Sequence, residues 1–108
     1  MPDFTSSPIS GYKVVLYGEK GGSTIGSYIH CFHNGKGVMT CAFYNDENNV
    51  PGNSKHGSVV HLNYPMSKFS YVLDILRNEK PLFFGFIEET KVGYVSTNRE
   101  PVGDGAEG

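Results

Sequence analysis

Apolar residues recur at every third or fourth position between Met66 and Leu76: Met66, Phe69, Val72, Leu73 and Leu76 share one face of a 3.6-residue period, and Lys68, Asp74, Arg77 and Asn78 fall off it. The spacing predicts an amphipathic helix over 65–80. Pro65 suits a helix start, where the amide it lacks would have no partner, and Ser67 offers a hydroxyl to the orphan amides of a second possible start. At the other end Asn78 tolerates a left-handed cap, and Pro81 pushes the residue before it out of helical geometry. The run 81–87 then predicts a strand with Leu82, Phe84 and Phe86 on one face and Phe83, Gly85 and Ile87 on the other. Apolar character on both faces points to a central strand, with Gly85 marking a bulge or a close approach by a neighbour.

Upstream, the period changes from 3.6 to two. Residues 12–17 alternate Tyr12, Val14 and Leu16 against Lys13, Val15 and Tyr17, and the glycine-rich segment 18–22 reads as a hairpin turn. Strands at 24–33 and 38–45 flank Asn34-Gly35, the strongest short hairpin signal in the chain. A plain two-residue turn there sets Cys31 opposite Val38 and Cys41 opposite Tyr28, on opposite faces. A loop one residue longer puts both cysteines on one face, diagonally offset. Neither register pairs the sulfurs directly, so both cysteines read as small buried apolar residues. A strand at 59–64 leads into the helix, and after the Phe-rich strand a turn at 88–91 precedes a closing strand at 92–97.

This order, β-β-β-β-α-β-β, predicts an α+β domain over 11–98: a strongly bent antiparallel sheet or small barrel of about six strands, with one helix packed on it. Residues 1–10 read as an extended arm with Phe4 and Ile9 pinned to the body, and residues 99–108 as a disordered acidic tail. In element order alone, a barrel with an inserted helix resembles oligonucleotide-binding folds, and analogy of fold carries little functional weight.

Composition narrows the function classes. The 108 residues are 38% hydrophobic, with seven Phe, seven Tyr and no Trp, enough for one aromatic core in a single domain. Nine basic and eleven acidic residues give a formal charge of −2, and the segment from Arg99 onward carries one basic and three acidic residues, which leaves the rest close to neutral. That argues against a charge-driven grip on nucleic acid phosphates. No basic start followed by an apolar run marks a signal peptide, and no stretch has the length of a membrane span. Two cysteines and no glycosylation sequon make a reduced, cytoplasmic setting the default expectation.

Candidate chemistry is sparse. The polar connection 45–58 is the longest between predicted elements, and its Asp46, Glu47, Asn48 and Asn49 supply hard oxygens without the spacing of a calcium loop, so no metal and no cofactor is expected. Of the histidines, His30 and His33 lie three apart on a strand and diverge, and pairing either with His61 needs a strand adjacency that spacing does not give. No Gly-x-Ser-x-Gly motif and no convergent carboxylate pair is present. The surplus of rings, Tyr28, Phe32, Phe43, Tyr44 and Tyr94, suits binding more than catalysis. The leading expectation is a non-enzymatic protein-interaction module, acting through an aromatic sheet face or an edge strand, with a protein partner or self-association; Tyr28, Phe32, Tyr44, His61 and Tyr94 are its candidate binding residues. A weak single-stranded nucleic acid binder that stacks bases on those rings is the second reading. A small enzyme using histidines and the 45–58 connection is the third.

Overall fold

The computed structural model describes residues 4–18, 24–78 and 82–97. Among them the alternating segments form eight strands: β1 (Phe4–Ile9), β2 (Gly11–Leu16), β3 (Ile25–His33), β4 (Lys36–Tyr44), β5 (Ser54–His56), β6 (Val59–Pro65), β7 (Leu82–Ile87) and β8 (Val92–Thr97). The 3.6-period segment forms α1 (Phe69–Asn78), entered through a 3-10 turn at Met66–Lys68. Pro65 ends β6 opposite Tyr44 and precedes the helical turn. The expected tail, residues 19–22 of the expected turn at 18–22, and the helix-stop residues 79–81 lie outside the described residues.

The α+β class stands, but the single six-stranded sheet or barrel does not. The strands divide into a three-stranded sheet of order β1-β7-β8 and a five-stranded sheet of order β2-β3-β4-β6-β5, neither of them closed. Two strands escaped the pattern for physical reasons. Residues 4–9, expected as an arm, are mostly Ser, Thr and Pro and show no apolar alternation, yet they pair antiparallel with β7 from Phe4↔Ile87 to Ile9↔Leu82. β5 is three residues inside a polar connection, too short to carry a period. β4 and β6 pair parallel, from Met39↔Val60 to Tyr44↔Pro65, where an antiparallel sheet was expected. The 45–58 segment is therefore a crossover, and parallel neighbours need one of a dozen or more residues. The chain passes the place of β6, forms β5, turns at Gly57 (φ +63°) and returns as β6 between β4 and β5.

A bulge corrects the register of the β3–β4 hairpin. Asn34 and Gly35 take φ of 54° and 81°, the geometry of a two-residue turn that needs positive φ at both positions, and His33 faces Lys36. Phe32 then faces Gly37, but Cys31 faces Met39 and Ile29 faces Cys41, so Val38 is an extra residue on β4. One inserted residue reverses which side every later β4 side chain takes. The cysteines, expected on opposite faces for this turn, instead share a face at a diagonal offset. Both are free and fully buried, and the Cys41 thiol is held well above its ordinary pKa, first by its hydrogen bond to Cys31 and then by burial.

That shared face is the core. Ile29 and Cys31 of β3, Met39, Cys41 and Phe43 of β4, and Val60 and Leu62 of β6 meet Leu82, Phe84 and Phe86 of β7 and Val72 and Leu76 of α1. Each large side chain removed from water contributes about 1.5–3 kcal/mol, and this is what holds helix and small sheet against the large one. Phe43 is the hinge point of the packing: its ring stacks on Tyr64 (5.4 Å, 14°) and takes Phe69 edge-on (5.2 Å, 84°). Ser27, buried in the same layer, donates to Met66 Sδ at 3.5 Å. Lys55 on β5 reaches Glu88 beyond β7 at 3.2 Å, tying the two sheets together at one end.

Candidate functional site

Alternation leaves the large sheet with a second, outward face. Register places Lys13 of β2, His30 of β3, Thr40 of β4, His61 of β6 and Ser54 of β5 in one row across all five strands. The adjacent row is Val15, Tyr28, Ala42 and Asn63. Tyr44 lies farther along β4 on this face, and Phe32 and His56 beyond the histidine row. Four of the five candidate binding residues, Tyr28, Phe32, Tyr44 and His61, thus come together here, all half-buried. Tyr94 does not: it stands on the outward face of the three-stranded sheet, opposite Gly85 of β7.

The face has a phenolic end and an imidazole end. Tyr28 takes Tyr17 edge-on at 6.1 Å and stacks on His30 at 5.5 Å. Burial raises the Tyr28 pKa, and the neighbouring Tyr17 and Tyr44 phenols raise it further. At the other end His30 Nδ1 and Thr40 Oγ1 share a hydrogen bond of 3.1 Å, and His56 Nε2 and Ser54 Oγ another of 3.1 Å. The His56 and His61 rings meet edge to face with centroids 4.8 Å apart. Sequence spacing could not show that His30, His56 and His61 share a side, because that follows from the crossover that puts β6 beside β4.

Among the described residues, neither imidazole–hydroxyl pair has a carboxylate in hydrogen-bond contact to orient it, as a nucleophile and base require. Lys13 is the one lysine in the strand positions of this face, short of the cationic groove that grips a phosphate chain. Among the described residues no three His, Cys, Asp or Glu side chains converge to hold a metal ion, and no helix is long and apolar enough to cross a membrane. In the 45–49 turn the Asp46 carboxylate is engaged by its own neighbours. Asp46 accepts from the Asn48 amide at 3.0 Å and from the Asn49 side chain, and these bonds hold its pKa below the ordinary carboxylate value. Farther along the crossover, Asn53 and Gly52 bond to Asn63 at 2.8 and 2.7 Å, and Asn53 donates to the Lys91 carbonyl. The segment is therefore fastened to β6 and to the β7–β8 turn.

His61 supplies a pH test of this face. Its pKa is lowered from the ordinary 6.5, first by burial and then by the nearby His56 and His30. The unfolded chain thus takes up a proton on this residue more readily than the folded one does. The stability contributed by neutral His61 is complete above pH 6.5 and is lost as pH falls toward the lower folded-state value. Urea midpoints measured from pH 7.5 to pH 5 should fall for the wild type, with a shallower slope for His61→Gln; equal slopes would mean that the ring is solvated.

The inward side of β2 is the second candidate. Tyr12, Val14 and Leu16 face Cys31, Ile29 and Ser27 of β3, all fully buried, and so extend the core layer by one strand. Yet they are 37%, 38% and 64% exposed. Among the described residues no strand lies beside the other edge of β2. The sequence shows this alternation without saying which of the two faces is covered, and no signal in it says that the strand lies at an uncovered edge. No protein-family description, no curated protein and no solved structure matches this chain.

Proposed function

We propose that this protein is a non-enzymatic interaction module that associates by strand addition at the free edge of β2, with a second copy of the chain as its partner. The observation that carries this reading is the row Tyr12, Val14 and Leu16: three large apolar side chains, continuous with the core layer, on a strand whose edge away from β3 meets no strand among the described residues. Proteins blunt such edges with proline, charge, shortness or a covering element, since unpaired amides invite another strand. The other three edges have such protection. β1 carries Pro8, β5 is only three residues long with Lys55 at its centre, and β8 has α1 beside it. β2 is six residues long, has no proline, and bears one charge, Lys13, which points away from the apolar row.

The expected result is a weight-average mass that rises with concentration in sedimentation equilibrium, while Leu16→Lys shifts the association constant by about 100-fold. Removing one buried leucine from a symmetric contact counts twice, at about 1.4 kcal/mol or more each. Far-UV circular dichroism should be unchanged, since Leu16 is largely solvent-exposed in the single chain. A wild type that stays monomeric up to millimolar concentration would remove this reading.

A further inference from the structure

We infer that two copies join their β2 strands antiparallel about a two-fold axis through Val14, making one continuous ten-stranded sheet; this rests on the strand-addition reading above. A two-fold axis relating antiparallel edge strands stands perpendicular to the sheet, so inner-face residues meet only inner-face residues and only same-parity positions can lie opposite one another. Few registers satisfy that, and the residues of β2 separate them. An axis at Lys13 sets Lys13 against its own copy, and like charges directly opposite are destabilising. It also leaves Leu16, the most exposed of the three, with no apolar residue across from it.

An axis at Val15 pairs Val14 with Leu16 but sends Tyr12 beyond the strand to face Gly18. An axis at Val14 pairs Val14 with Val14 and Tyr12 with Leu16 twice, so every exposed apolar side chain of the row gains an apolar partner. On the outer side the same register sets Lys13 opposite Val15, keeping the two lysines apart. The strand segment Tyr12-Lys13-Val14-Val15-Leu16 is thus self-complementary about its middle residue. The two inner faces then lie on the same side of the joined sheet, and the two apolar rows lie side by side across the seam.

Single cysteine variants test the register, because Cys31 and Cys41 are fully buried and silent toward oxidation. Val14→Cys should oxidise to a covalent dimer, since directly opposed residues fall within disulfide reach. Tyr12→Cys and Leu16→Cys should each stay monomeric alone, their own copies lying roughly 14 Å apart along the strand, and should cross-link when mixed. Cross-linking of Tyr12→Cys with Val14→Cys, or of Val14→Cys with Leu16→Cys, in preference to these pairs would overturn the register. Should sedimentation show association while Val14→Cys fails to cross-link, the Val14 axis is wrong and strand addition survives; a strict monomer removes both.

Discussion

Phe43→Ala is expected to lower the free energy of unfolding by about 3–5 kcal/mol, a large share of the roughly 5–15 kcal/mol that holds a domain of this size together. Phe43 is fully buried, and it is where β4, β6 and the helix meet: Tyr64 lies flat against one side of the ring, and Phe69 presents its edge to it. Truncation loses the burial of the ring and leaves a cavity that neither neighbour can fill. Tyr64 is held in the β6 ladder, and Phe69 opens a helix fastened farther along by Val72 and Leu76. Urea unfolding of Phe43→Ala and Phe43→Leu measures this, the leucine variant keeping most of the volume and losing less. A double-mutant cycle with Phe69→Ala should give a coupling of about 0.5–1.5 kcal/mol from the ring pair. An alanine variant that loses under about 1 kcal/mol would mean that the helix does not dock on this ring.

The helix and its docking face were legible because both depend on short-range spacing. Met66, Phe69, Val72, Leu73 and Leu76 are all buried or packed against the core, and the Phe-rich strand is the middle one of its sheet. The β7–β8 hairpin was legible for the same reason. What spacing could not convey was which strands are neighbours. β1 is held by pairing with β7 and not by an apolar pattern of its own, and β6 lies parallel to β4 because the crossover loops out through β5. The bulge at Val38 is the sharpest case: the turn Asn34-Gly35 was legible, but an inserted residue three positions later moves Cys41 to the side of Cys31.

The candidate surfaces were legible in part for related reasons. Tyr28, Phe32, Tyr44 and His61 share a face only because of the bulge in β4 and the parallel pairing of β6, neither of which sequence alone resolves. Tyr94 was grouped with them on composition, and its strand belongs to the other sheet. The row on β2 went unread as a surface because Tyr12, Val14 and Leu16 have the alternation of any half-buried strand. Exposure belongs to the tertiary arrangement: it depends on how far β7, β8 and α1 extend over the large sheet.

The point where the two sheets touch can be tested through two glycines that differ in what surrounds them. A Cβ at Gly93 on β8 would run into the Leu62 side chain of β6, across the core, with Phe86 at 3.4 Å on its other side. Leu62 is 1% exposed and cannot withdraw, so Gly93→Ala should force the sheets apart locally and cost about 1–3 kcal/mol. A Cβ at Gly85 meets the tip of the Tyr94 ring, but that ring is 39% exposed and can swing outward. Gly85→Ala should therefore cost less, the lost cover of Tyr94 being offset by the strand preference of alanine over glycine. Leu62→Ala makes room at the same spot, so its cost and that of Gly93→Ala should fall short of additive in the double variant by about 0.5–3 kcal/mol. Additive costs would mean that Gly93 and Leu62 are not in contact, and the placement of the small sheet over β6 would be wrong.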